Sequence, residues 1–275
     1  MEPCRTQAIV IDVKDYGESD KIVTFYSLLR GRMCGIAKGA KRSLKRFVNK
    51  LELFTLLEIH FTDSRASSLV RIDQAEPLAH FPALRASYER YTAAALLCEL
   101  VLHWTRENDA DPRLFDLLRW GLGNLEDGRR PPIWGVIIFQ IKMFTLLGFQ
   151  PDLSGCATCG RLAPELTPYR FRLARGGLLC SPCAKVARPD DRQGLLISLS
   201  TAQLLKKSQE LETAKLARFR FSPREVQESA VFLQAYGNHI LQREIQAWEQ
   251  LTRPEHYRTQ ATIPRKSPER AHGKP

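Results

Sequence analysis

The chain has 275 residues, enough for two domains, and its 44% apolar and 26% charged content are ordinary for a soluble globular protein. The formal charge of +11 is not ordinary and favours a polyanionic partner, either nucleic acid or an acidic membrane surface. The first twenty residues reach acidic side chains early and hold no long apolar stretch, so no signal peptide is expected. The odd count of seven cysteines then fits thiols kept reduced in a cytosol.

Residues 5–75 read as strands. "QAIVIDV" and "KIVTFYSLL" are β-branched and aromatic runs separated by the turn cluster "KDYGESD". "RMCGIAKGA" follows, and its glycines suggest a bulge or sharp bend in a strand. "LELFTLLEIHF" at 51–61 is a further strand, though its Leu and Glu would also suit a helix, and "SLVRIDQAEPL" is the last. Five short strands at this spacing predict a small β-barrel of the OB-fold kind, with an SH3-like barrel not distinguished. The first domain is placed at 1–80.

An α-helical domain is expected from 81 to 252. A helix spans 84–105 on an apolar stripe; the next has Asp111 as N-cap and Pro112 at its first position. "PIWGVIIFQIKMFTLLGF" at 132–149 is the most apolar segment. It carries Lys142 and is short for a membrane crossing, so it reads as a buried helix ending at Gly148. A break follows from 150 to about 197. Helices resume near Ser200, and the final one opens on the capping box Ser222-Pro223-Arg224-Glu225. Its Val226, Ala230, Leu233, Gly237 and Ile240 share one face. Residues 253–275 lose apolar periodicity and read as a disordered basic tail.

Within the break, at about 150–190, stand Cys156-x-x-Cys159 and Cys180-x-x-Cys183, with twenty residues between the pairs. Two residues between cysteines let a tight turn aim both thiolates at one ion, and two such turns complete a tetrahedron. The rival readings are disulfides, opposed by the reducing compartment, a redox pair, and chance. One structural Zn²⁺ is the expectation, because four thiolates leave no position open for a reacting water. Cys98 reads as a small core residue. If the intervening "YRFRLAR" is a strand, Arg170 and Arg172 fall on one face and Tyr169 and Phe171 on the other.

No metalloprotease, nucleophile-elbow, phosphate-loop or dinucleotide signature is present, and no His-x-Glu precedes the cysteine pairs. A binding protein is therefore favoured over an enzyme. From Lys21 to Leu51 there are nine Lys or Arg and no acid, whereas Asp12, Asp15, Glu18 and Asp20 lie just before. Such a basic stretch with glycines suits close phosphate contact. Phe25, Tyr26 and Phe47 offer stacking surfaces for single strands in one reading and barrel core in the other.

"YGESDKIVTFYS", "GRMCGIAKGAKRSLKRF", "LELFTLLEI" and "LLGFQPDLSGCATCG", in this order, resemble the bacterial recombination mediator RecO over residues 5 to 245. The resemblance implies an N-terminal OB-fold, a helical domain and a zinc segment inserted in it. It implies binding of single- and double-stranded DNA and annealing of complementary strands. It also implies loading of RecA onto strands covered by the single-strand-binding protein SSB, in concert with RecR and in some cases RecF. The DNA-binding residues it implies here are Arg30, Arg32, Lys38, Lys41, Arg42, Lys45 and Arg46. The acidic C-terminal tail of SSB is an expected contact of the helical domain. The location implied is the bacterial cytoplasm, at the nucleoid, with no membrane partner. An RNA-binding zinc-ribbon protein and a non-catalytic assembly scaffold remain as alternatives.

Overall fold

The structure is a computed structural model that describes residues 3–43, 45–64, 67–188, 192–216 and 219–252. The expected basic tail at 253–275 lies outside the described residues.

The first five strands are β1 (Cys4–Tyr16), β2 (Asp20–Ser27), β3 (Gly31–Ala37), β4 (Leu56–Thr62) and β5 (Val70–Ala79). They close into a barrel in the order β1-β2-β3-β5-β4, with β3 and β5 parallel and the other neighbours antiparallel. This is the OB-fold order, which settles the choice against an SH3-like barrel. Register shifts fall in β1 between Val10 and Asp12 and in the β4–β5 pair, not between β2 and the glycine-bearing third strand. The stretch 51–61 is strand only from Leu56; before it the chain turns, with Phe54 at φ +69°.

Burial along β1 is continuous from Ala8 to Ile11 because both faces of the strand are covered. Ala8 and Val10 point into the barrel with Phe25, Met33, Ile59 and Phe61. Ile9, Ile11, Tyr26 and Leu56 point outward and join the core of the helical half. A strand with one face in water would alternate instead.

The helical half comprises α1 (Pro82–Ala86), α2 (Tyr88–Trp104), α3 (Pro112–Asp127), α4 (Pro132–Leu146), α5 (Ser181–Val186), α6 (Leu199–Glu210), α7 (Thr213–Leu216), α8 (Pro223–Leu241) and α9 (Gln246–Thr252). The helix expected at 84–105 is in fact two, because extended Ser87 ends α1 and caps α2 by accepting the Arg90 N–H. Asp111 and Pro112 start α3 as expected, and Ser222 with Glu225 forms the reciprocal capping box of α8. At the end of α4 the Phe149 N–H reaches the Phe144 carbonyl at 2.8 Å and Gly148 takes φ +81°. α4 is apolar all round because α2, α3, α6 and α8 surround it. Its one deeply buried polar side chain, Gln140, donates to the Leu233 carbonyl at 3.1 Å and accepts from Trp248 Nε1 at 3.0 Å. No helix among the described residues is long and apolar enough to cross a membrane. α8 is not the last helix: α9 follows, its first N–H groups capped by Glu99 of α2.

The break at 150–197 holds a sheet of β6 (Asp152–Cys156), β7 (Tyr169–Arg172), β8 (Gly177–Leu179) and β9 (Leu195–Ile197), in the order β6-β8-β7-β9. Tyr169 and Phe171 are buried as the alternation requires, and Phe171 meets Phe232 and Tyr236 of α8 edge-on.

The two halves meet along a seam. Tyr26 hydroxyl accepts the Asp111 N–H at 3.2 Å, and the Asn108 N–H reaches the Arg32 carbonyl at 3.0 Å. Gly31 sits in this seam at φ +66°, where a Cβ would run into the Asp109 carbonyl. Gly31→Ala should therefore destabilise the protein by about 3 kcal/mol, the sum of a left-handed backbone penalty and a backbone clash. Urea unfolding monitored by tryptophan fluorescence measures it.

Candidate nucleic-acid face and metal centre

Antiparallel hairpins return alternate turns to the same end of a barrel. The β1–β2 turn and the segment after β3 therefore lie together, while the β2–β3 turn lies at the opposite end. Arg32 and Lys38 are separated by six strand residues, about 20 Å. The seven candidate cations consequently form two groups rather than one face.

Arg30 and Arg32 belong to the β2–β3 turn end. The Arg30 guanidinium donates to both carboxylate oxygens of Asp63 at 2.9 and 3.0 Å and lies over the Phe61 ring. Arg32 lies in the seam, with its Nη1 3.7 Å from the Glu107 carboxylate. Both are half-buried and tied to the fold.

Lys38, Lys41, Arg42, Lys45 and Arg46 belong to the other end, and all five are exposed. The acidic β1–β2 turn reaches up beside them. Lys41 Nζ is 3.1 Å from the Asp15 carboxylate and donates to the Gly17 carbonyl at 3.1 Å; Arg42 is 3.2 Å from Glu18. Asp20 accepts the Gly39 N–H at 2.8 Å and the Ser19 hydroxyl at 2.9 Å, and these bonds hold its carboxyl below the usual range. The carboxylates thus anchor the basic segment to the hairpin. Exposed ion pairs of this kind are weak, so a phosphate can exchange for a carboxylate. Lys38, Lys45 and Arg46 form no close ion pair among the described residues, although the Lys38 charge helps to lower the Asp20 carboxyl. Arg46 donates to the Lys38 carbonyl at 2.7 Å and lies 4.5 Å from the centre of the Phe47 ring, which holds its guanidinium beside the start of the basic segment.

Phe25, Tyr26 and Phe47 are buried and cannot stack on bases. The first and third fill the barrel and the second fills the seam.

The four cysteines converge. Their sulfur atoms all lie within 4.8 Å of one another, and Cys159 Sγ is 3.8 Å from Cys180 Sγ. A tetrahedron of sulfurs about 2.3 Å from a central ion has edges of about 3.8 Å. Cys156 ends β6; Cys180 precedes α5 and Cys183 lies in it. The first pair is shaped by Gly160, at φ +73°, whose N–H returns to the Cys156 carbonyl at 2.7 Å. Burial opposes ionisation of Cys156. The N–H groups of Cys180, Cys159 and Thr158 outweigh it and bring the thiol well below its ordinary range. Cys156 and Cys180 are buried, Cys183 half-buried and Cys159 exposed, so the centre lies at the rim of the small sheet. The cluster can hold a metal ion.

A family model described as the N terminal of recombination protein O matches residues 1–81, and one described as its C terminal matches residues 85–249. The chain belongs to the recombination protein O family. Among curated relatives, the DNA repair protein RecO of Syntrophus aciditrophicus (strain SB) is 34% identical over 88% of this chain and 93% of its own length. That of Syntrophobacter fumaroxidans (strain DSM 10017 / MPOB) is 36% identical over 80% and 86%. That of Roseiflexus sp. (strain RS-1) is 35% identical over 87% and 82%.

The N-terminal family region coincides with the barrel, and the C-terminal one carries the helices and the cysteine cluster. Two features escaped the sequence reading of this family member. One is the set of carboxylates facing the basic segment; its signal was present, because hairpin turns two apart in sequence share a barrel end. The other is Tyr16, the one aromatic side chain among the described barrel residues that is more than a third exposed.

Proposed function

We propose that this chain is a recombination mediator of DNA repair that acts by binding, without covalent chemistry. Its barrel holds single- and double-stranded DNA, it anneals complementary strands, and with RecR it promotes loading of RecA onto SSB-coated single strands, RecF joining in some settings. The observation that carries this reading is the cluster of exposed cations Lys38, Lys45 and Arg46, in no ion pair among the described residues, at one end of an OB barrel in a chain of this family. Annealing needs only that repulsion between two phosphate backbones be offset by cations; base pairing supplies the rest. Arg30 is tied within the barrel and Arg32 to the seam, so both serve the fold more than they face a strand, and Lys41 and Arg42 contribute by exchanging carboxylate for phosphate.

Cys156, Cys159, Cys180 and Cys183 hold one Zn²⁺. Four thiolates at this spacing suit zinc, which when bound supplies folding free energy and no reaction step. The acidic tail of SSB is the expected contact of the helical half, and the bacterial cytoplasm at the nucleoid the expected location.

The direct test is annealing of complementary oligonucleotides precoated with SSB, with and without the protein. Acceleration is expected, and an unchanged rate in the presence of RecR would reject the reading.

A further inference from the structure

We propose that Tyr16 is a base-stacking platform that makes the basic end of the barrel prefer unpaired strands. This rests on the reading of that end as a phosphate-binding face. Tyr16 ends β1 opposite Asp20 and is 55% exposed, and its side chain has no hydrogen bond or ring contact among the described residues. Every other aromatic of the five strands is buried: Phe25, Tyr26 and Phe61. A large ring left in water at a hairpin end contributes nothing to the core, so the fold does not account for it.

Its surroundings suit a nucleotide. The next residue, Gly17, receives the Lys41 ammonium on its carbonyl. Lys14 shares the face of β1 with Tyr16 by two-residue alternation. The Lys41 N–H bonds the Ser19 carbonyl at 2.9 Å, so the basic segment runs directly beside the hairpin turn. A Cβ placed on Gly17 or Gly39 would meet nothing within 4 Å, so the space above both turns is open. A strand whose phosphates lie along Lys38, Lys45 and Arg46 therefore passes an uncovered aromatic face. Tyrosine has few rotors to immobilise, and stacking accepts any base, which suits a mediator with no sequence preference. A duplex keeps its bases stacked internally and offers the ring nothing. The ring thus holds a base only until its complement arrives.

The test uses the full chain, with fluorescence anisotropy on labelled dT25, an abasic strand of equal length, and a blunt duplex. Tyr16→Ala should weaken dT25 binding by about fivefold or more. It should leave abasic and duplex binding, and the salt dependence, as in the parent. Tyr16→Trp should retain dT25 affinity and show a fluorescence quench beyond that of the parent on dT25 but not on the abasic strand. Because the ring is more than half exposed and outside both buried clusters, both variants should melt close to the parent. Parent-like dT25 binding by Tyr16→Ala, or an equal loss on the abasic strand, overturns the platform while leaving the phosphate face standing. A parent that binds none of the three overturns both.

Discussion

Reversing Lys38, Lys45 and Arg46 to glutamate together should weaken single-strand binding at moderate salt by about tenfold or more and flatten its salt dependence. Each phosphate contact on a single strand contributes about 0.7 to the slope of log affinity against log salt, so losing three lowers its magnitude by about 2. These three cations form no close ion pair among the described residues, so reversal removes phosphate contacts at little cost to the fold beyond setting Lys38→Glu near Asp20. The charge reversal Lys41→Glu with Arg42→Glu should also weaken binding, with an added cost to the hairpin, since it sets new acids against Asp15 and Glu18. Arg30→Gln supplies the contrast: it breaks the ion pair with Asp63 at the far end of the barrel and should barely change DNA affinity. Equal losses from Arg30→Gln and from the triple reversal would mean that the strand runs along the whole β2–β3 hairpin, not across one end. Anisotropy titrations at four salt concentrations distinguish these outcomes.

Removing the metal should divide the molecule energetically. A strong chelator, or Cys180→Ser, should take away the proposed ion, two of whose candidate ligands, Cys156 and Cys180, belong to the same buried cluster as Phe144, Phe171, Phe232 and Tyr236. Loss of a structural metal is among the few single changes expected to cost about 4 kcal/mol or more. The four thiols would also repel one another as they ionise at close range, so the small sheet should open first. Limited proteolysis should then cut within 150–197, while the barrel, whose interior is a separate cluster, keeps its strands and its affinity for single-stranded DNA. Metal analysis should return one zinc per chain before treatment. A protein that resists protease equally with and without chelator would show that the sheet is held by its apolar face alone.

Much of the fold could be read along the chain because the signals are local. Asp111-Pro112 caps α3, Ser222 and Glu225 cap α8, and Gly148 closes α4, each by contacts within six residues. The metal centre was legible for a related reason: two residues between cysteines already fix a turn. The split of the 84–105 helix at Ser87 was missed because the apolar stripe runs through the break. The small sheet was missed because its strands are three to five residues long and pair across the cysteine turns.

By itself, then, the sequence determined the five barrel strands, the long helices, the excess of positive charge and the two cysteine pairs. Only the tertiary structure decided which charges are available. Closing the barrel folded the acidic 12–20 turn against the basic 38–46 segment, sent Arg30 and Arg32 to the far end, and buried Phe25, Tyr26 and Phe47. Pairing of side chains distant in sequence depends on strand register and on which end each turn reaches, and neither is encoded in the composition of any one segment.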